Sequence, residues 1–304
     1  MEPIVKKQDD NNKPGVAIIL VNYNGFKDTV ECVESIRKID YPNYRIIVVD
    51  NGSDEVPDED QILYLREYTH YISIENNLGF SGGNNIGIRW ALQKGYPYIL
   101  LLNNDTTVSL QLLDVLVRAA EEKEKVGIIG GKILFYQSPY KIWFGGGVLN
   151  TKYGHGTHEG YGQDNPEDTG KIRRVTFLTG CLMFIPRDVF AGVGLLDEDY
   201  FLYAEDTDFC CRVMNRGYNL WFCENSLVYH KVSASTGRGS ARTQYYMMRN
   251  SLYLSKKHMK HFQLIHFRIF YQTMKDVLRG RKQLKPVVTA IFDYYRGIRG
   301  KGSY

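Results

Sequence analysis

No apolar run in the 304 residues approaches the length of a membrane-spanning helix, which excludes a bundle of such helices. Cysteine is sparse: Cys32, Cys181, Cys210, Cys211 and Cys223 are odd in number and include no C-x-x-C. Neither a disulfide framework nor a zinc cluster is therefore indicated, and reduced, buried thiols are the simpler reading. The phosphate-loop pattern G-x-x-x-x-G-K-[ST] is missing, and no G-x-G-x-x-G follows the first apolar run. Any nucleotide is thus held in another way. There is no internal repeat and no low-complexity segment. The opening Met1 to Pro14 is polar and has no apolar signal core, which argues against export and for a cytoplasmic protein.

A hydrophobic content of 43% is enough for a sizeable core. The formal net charge of +4 hides an uneven spread. From Ala241 to Tyr304 there are 14 Lys and Arg against 2 Asp and Glu, a balance of +12, while the first 240 residues carry 24 against 32, a balance of −8. An acidic body with a basic tail suggests that the tail meets something anionic.

Residues 1–14 read as a disordered lead. Short apolar runs then alternate with helical spacings. Strands are expected at Val16 to Val21, Tyr44 to Val49, Tyr71 to Ile74 and Tyr98 to Leu102. Helices are expected at Thr29 to Arg37, Asp58 to Glu67, from the glycine-rich loop Gly79 to Asn85 onward to Lys94, and at Ser109 to Lys123, capped by Ser109. This alternation predicts an α/β fold with a mostly parallel sheet and right-handed crossovers. After Val126 the pattern changes. Gly127 to Leu134 and Thr176 to Ile185 read as strands, the second broken at Gly180. Asn150 to Lys171 reads as a mobile loop over the site, or as a plain surface insertion. Pro186 starts a short helix, a further helix runs from Ala204 to Arg216, and Leu220 to Phe222 and Leu227 to His230 read as short final strands. One catalytic domain is expected over 15–240, with a nucleotide half over 15–125 and an acceptor half over 126–240. A helical tail follows over 241–304.

Polar groups gather at strand ends. Leu100-Leu101-Leu102 runs straight into Asn103-Asn104-Asp105, and ligands in open α/β sheets sit just beyond the carboxyl ends of strands. A carboxylate there suits a hard cation carrying phosphate oxygens; turn closure is the competing reading. Asn22-Tyr23 and Asp50 end two other strands. Asp50 suits the ring N–H of uracil or thymine, or it caps the turn through Gly52. Glu205-Asp206-Thr207-Asp208 puts three carboxylates in a helix's first turn, more than a cap needs. Crowding of like charge raises one pKa, as a general base requires. Arg212 can pair with Asp208 one turn on. His230 ends an apolar strand, as a structural imidazole or as a metal ligand.

Together these residues resemble a family. Val21-Asn22-Tyr23-Asn24-Gly25, Val48-Val49-Asp50-Asn51-Gly52-Ser53, Gly79-Phe80-Ser81-Gly82-Gly83-Asn84-Asn85, Asn103-Asn104-Asp105, Glu205-Asp206-x-Asp208 and Val228-Tyr229-His230 are similar to the inverting family-2 glycosyltransferases, above all the bacterial rhamnosyltransferases. The resemblance runs from Val16 to Arg249. It implies a GT-A fold with a Rossmann-like sheet. It implies a nucleotide-diphosphate-sugar donor held by Asn22, Tyr23 and Asp50, with Gly79, Gly82, Asn84, Asn103 and Asn104 on the donor side. It further implies a divalent cation, Mn²⁺ or Mg²⁺, at Asp105 with His230, and Asp206 as catalytic base beside Glu205. Asn103 stands where the family's acidic metal motif has its first carboxylate. The implied reaction moves a sugar, most simply rhamnose from dTDP-rhamnose, onto a cell-envelope polysaccharide or lipid-linked glycan. A UDP-sugar such as UDP-galactofuranose and a non-catalytic nucleotide-sugar-binding subunit are the alternatives.

The tail carries one apolar line at Phe262, Ile265 and Ile269 and another at Leu264, Phe267, Tyr271, Met274 and Leu278, with Lys and Arg around them. Packing onto the catalytic domain, contact with the inner face of the cell membrane, and pairing with another subunit as a homo-oligomer compete for this face. Stacking of nucleic-acid bases fits the resemblance less well than lipid contact does.

Overall fold

The computed structural model describes residues 13–166, 169–232 and 239–304. Its first half is a parallel sheet with helical crossovers. Strands β1 (Val16–Asn22), β2 (Tyr44–Asn51), β3 (His70–Ile74) and β4 (Tyr98–Asn103) alternate with α1 (Phe26–Ile36), α2 (Glu59–Tyr68) and α3 (Gly79–Gln93). They lie in the order β4-β1-β2-β3, each pair parallel. β1 is buried almost end to end, which is why it reads as a continuous apolar run rather than an alternating one.

The second half adds β5 (Thr106–Val108), α4 (Leu112–Glu122), β6 (Val126–Phe135), β7 (Ser138–Phe144), β8 (Gly147–Asn150), β9 (His155–His158), β10 (Ile172–Val175), β11 (Leu182–Pro186), α5 (Arg187–Val193), α6 (Glu205–Asn215) and β12 (Asn219–His230). Among the described residues ten strands form one mixed sheet, ordered β10-β12-β6-β11-β4-β1-β2-β3, with β5 on β12 and β7 on β6. The C-terminal helices are α7 (Ala241–His258), α8 (Phe262–Leu278) and α9 (Leu284–Tyr295). They enclose a second apolar cluster built on Phe201, Tyr245, Tyr246, Leu252 and Tyr294. No described helix is long and apolar enough to cross a membrane.

Several elements depart from the sequence expectation. Ser109 does not cap a helix: residues 106–108 are drawn into strand pairing with β12, the chain turns, and α4 begins at Leu112. The Ser109 hydroxyl is left buried without a partner. The glycine-rich stretch from Gly79 is not a loop but the first turns of α3. Part of the expected irregular loop at 150–171 pairs instead, as the hairpin β8–β9. The two short final strands are one strand, β12, whose register against β6 shifts between Cys223 and Leu227. Of the lead, residues 1–12 lie outside the described residues, while Lys13 and Pro14 are tied down through Asp114 and the Tyr41 hydroxyl. All five cysteines are buried and free of disulfides.

Candidate active site

Register places the polar strand ends side by side. Asn22 lies opposite Asp50 across β1–β2, and Asn103 lies opposite Val21 across β1–β4. The Asn22 carboxamide donates to Asp50 Oδ1 at 3.1 Å and to the Ser53 hydroxyl at 3.2 Å. Its oxygen accepts from the Thr29 hydroxyl at 2.8 Å and from Asn104 at 3.4 Å, and Asn104 also donates to Thr29 at 2.8 Å. Asp50 accepts further bonds from Ser53 at 2.5 Å on Oδ1 and from the Tyr71 hydroxyl at 3.2 Å on Oδ2. A carboxylate oxygen has two lone pairs, so Oδ2 keeps room for another donor. Burial and the Asp50 charge push the Tyr71 hydroxyl's pKa up, so it stays a donor. Tyr23 turns away, its hydroxyl reaching Asp54 at 3.1 Å.

Asn51 holds the entry of α3: its carboxamide donates to Gly79 O at 2.9 Å and accepts from Leu78 N at 3.0 Å. Gly79 has a φ of +75°, and a Cβ there would stand 2.2 Å from Phe201 O. Only glycine fits both demands. The next amide, Phe80 N–H, donates to that same Phe201 oxygen at 2.7 Å. Gly82 and Asn84 are buried within the helix, and the Asn84 carboxamide donates to Phe80 O at 2.9 Å.

Asp105 and His230, 125 positions apart, meet because Thr106 pairs with His230 across β5–β12. His230 Nε2 lies 3.0 Å from Asp105 Oδ1, and both side chains are largely buried. The other imidazole nitrogen, Nδ1, is buried without a partner. The Trp143 ring meets the imidazole edge-on, centroids 4.5 Å apart at 87°. Among the described residues no three His, Cys, Asp or Glu side chains cluster as a metal cage. The pair nevertheless fits a cation that takes its remaining ligands from water and phosphate, as Mg²⁺ does; an imidazole beside a carboxylate also suits Mn²⁺.

Asp206 reaches the same strand ends from the other side. β11 runs antiparallel to β4 with Leu182 opposite Leu102, and Asn103 N donates to Cys181 O at 3.0 Å. The adjacent Gly180 N–H donates to Asp206 Oδ2 at 3.1 Å. The Phe80 ring lies against Gly180, so a Cβ there would stand 3.0 Å from it. Asp206 Oδ1 also accepts from Thr207 N at 2.6 Å and from the Thr207 hydroxyl at 3.1 Å. Burial raises the Asp206 pKa against the pull of these donors. Glu205 is raised well above the usual range, by burial first and the Asp206 charge second, and its Oε2 has no partner. Of the two, Asp206 has donors that favour its ionised form, whereas Glu205 Oε2 has none.

Asp208 belongs to a different function of the same turn. It accepts from Arg212 Nε, His258 Nε2 and Lys257 Nζ, each at 2.7 Å, and is fully buried. Those donors overcome the desolvation cost and hold its carboxyl below the usual range. It fastens α6 to α7.

Sequence reasoning missed the residues that aim α6. Phe201, Tyr203 and Ala204 have φ of 62°, 67° and 72°, a region strained for non-glycine residues. The Asn250 carboxamide in α7 lies 2.8, 2.8 and 2.9 Å from the carbonyls of Tyr200, Leu202 and Tyr203. The buried Arg249 reaches Tyr200 O at 3.2 Å and Gly300 O at 2.9 Å. An Arg-Asn pair in a tail helix has no sequence signal that announces this role.

Two solved structures share the fold. The structure of GalNAc-T7 with UDP, GalNAc and Mn²⁺ superposes with a TM-score of 0.65 at 18% identity, over 84% of this chain. The chain spans half, 50%, of that structure's length. The mannosyltransferase PcManGT of Pyrobaculum calidifontis, in complex with GDP-Man and Mn²⁺, gives a TM-score of 0.57 at 14% identity, over 97% of this chain and 79% of that one. The fold is of the GT-A type. In sequence, the low-salt glycan biosynthesis hexosyltransferase Agl10 of Haloferax volcanii is 26% identical over 94% of this chain and 92% of its own. The dTDP-rhamnosyl transferase RfbF of Shigella flexneri is 25% identical over 94% and 97%. The family described as Glycosyl transferase family 2 matches residues 17–193, more than half the chain, and to that family the chain belongs.

Proposed function

We propose that the chain is an inverting, cation-assisted glycosyltransferase that passes rhamnose from dTDP-rhamnose to a glycan or lipid-linked acceptor of the cell envelope. The observation that carries this reading is the convergence of the Asp105–His230 pair and Asp206 on one set of strand ends. Rhamnose is favoured by the rhamnosyl relative, which matches almost end to end.

In this reading Asp50 Oδ2 accepts the pyrimidine ring N–H, and Asn22, fixed by Thr29 and Asn104, orients Asp50. Asp105 and His230 hold the divalent cation, which when bound offsets charge on the leaving diphosphate. The acceptor hydroxyl attacks the sugar C1 as the bond from C1 to the diphosphate oxygen breaks. The hydroxyl proton passes to the Asp206 carboxylate, and the bond electrons leave with the diphosphate. Glu205, buried beside it with no donor to Oε2, is disfavoured as a second charge. One base and one in-line displacement invert the anomeric centre without a covalent enzyme intermediate.

A UDP-sugar is the nearest alternative, because uracil offers Asp50 the same N–H. A donor screen reading released nucleotide separates the two; turnover of UDP-galactofuranose but not dTDP-rhamnose would replace the donor. Asp105→Ala is expected to lose transfer and Mn²⁺-dependent nucleotide binding in calorimetry. Unchanged cation dependence in that variant would move the metal elsewhere; donor binding by the native chain without transfer would favour a non-catalytic nucleotide-sugar-binding subunit, and no nucleotide binding with or without Mn²⁺ a scaffold with a decayed site.

A further inference from the structure

The tail helices are apolar on two sides. Inward, Ile265, Val287, Ala290 and Tyr294 are buried. Outward, Leu264, Phe267, Tyr271, Met274 and Leu278 recur three and four residues apart along α8, with Phe267 67% and Leu278 82% exposed. α9 adds Leu284, Val288, Phe292 and Tyr295, the last two 64% and 67% exposed. No described element covers these rows, and soluble proteins rarely leave so much large apolar surface bare.

The charges around the rows are of one sign. Arg268 and Lys275 flank the α8 row; Arg279, Arg281 and Lys282 fill the turn to α9; Lys285 and Arg296 flank the α9 row. The two acids on this segment are already engaged, Asp276 with Lys282 at 3.8 Å and Asp293, buried, with the Tyr245 and Ser303 hydroxyls.

We propose that this face seats on an anionic lipid surface, with the aromatic and aliphatic rows at the headgroup boundary and the basic rim on lipid phosphates. A helix with Phe, Tyr and Leu on one side and Lys and Arg beside them suits an interfacial position. The three-four spacing would also suit a helix seam with a second copy. In an antiparallel seam Arg268 and Lys275, which share one flank of the row, would face their own counterparts, like charge on like charge. Lipid phosphate reverses that sign.

Flotation of the full chain with vesicles tests this independently of the donor reading, because it reads binding and not transfer. The chain is expected to float with vesicles of equal parts phosphatidylglycerol and phosphatidylcholine, not with phosphatidylcholine alone, and to be released by salt. Phe267→Ser with Phe292→Ser should abolish flotation with an unchanged thermal melt, since both side chains are exposed. Arg279→Glu, Arg281→Glu and Lys285→Glu together should weaken partition by roughly 100-fold. No flotation, or equal recovery from both vesicle types, overturns the proposal. So does a dimer by light scattering in solution that Phe267→Ser disperses.

Discussion

Glu205 and Asp206 are adjacent in sequence yet meet different circumstances. Glu205 has an oxygen with no donor, whereas Asp206 is bonded from Gly180 and Thr207. Because burial raises the Asp206 pKa, the acid limb of kcat/KM is expected to lie above the ordinary aspartate value of 3.8, activity falling as pH drops through it. Asp206→Asn keeps the shape and the donor site and is expected to lower kcat by on the order of 10²- to 10⁴-fold. Single-turnover kinetics with calorimetric donor binding check it; full activity would remove Asp206 as the base. Both raised carboxyls bind protons more tightly folded than unfolded. Their stabilising contribution is present at low pH and is lost as pH rises through the folded values. At this scale the candidate residues were legible because strand ends and crowded carboxylates are local signals. The network of Thr29, Ser53 and Tyr71 around Asn22 and Asp50 was not, since nothing in sequence marks a hydroxyl that will face a strand end.

Among elements, α3 and α6 show where pattern misleads. Glycines near a supposed phosphate read as a loop, but Gly83 and Gly87 are helical and let α3 lie close on β1. A Cβ at each would stand 2.7 Å from Val21 Cγ1 and 2.6 Å from Ile19 Cγ2. The three acids of α6 read as one crowded cluster, yet Asp208 serves the junction with α7. Asp208→Asn removes the charge that Arg212, Lys257 and His258 share and is expected to cost about 3 kcal/mol, read as a lowered Tm. The sign with pH follows from its depressed carboxyl. Its contribution is full above the ordinary 3.8 and fades as pH falls toward the lower folded value. Acid unfolding of the native chain should therefore contain a component that Asp208→Asn lacks. The parallel first half was legible because buried strands are continuous apolar runs; the mixed second half was not, because β5 is three residues long and gains its register only from distant β12, while β8 and β9 are four residues each and pair with one another outside the main sheet.

For the molecule as a whole, composition marks residues 241–304 as an appendage, but contacts make α7 part of the catalytic unit. The loop from Phe201 to Ala204 carries three strained residues directly before the acidic turn, and the surroundings must hold them there. Asn250 does so from α7 through three carbonyls, while Phe201 O ties the same loop to the start of α3. The position of Asp206, the proposed base, relative to the strand ends thus depends on a residue 44 positions after it. Asn250→Ala takes the carboxamide from the Leu202 and Tyr203 carbonyls, leaves Tyr200 O to Arg249 and Leu202 N, and frees the loop to relax. Misplacement of a reacting group by about 1 Å costs on the order of 100-fold in rate. The expected outcome is a fall in kcat of that order with the donor KM nearly unchanged, because Asn22, Asp50 and His230 stand on strands, and Asp105 in the turn between β4 and β5, away from the carbonyls that Asn250 holds. A purely structural role for Asn250 would lower the folded fraction and leave kcat per folded enzyme intact, so kinetics normalised by active-site titration decide between the two.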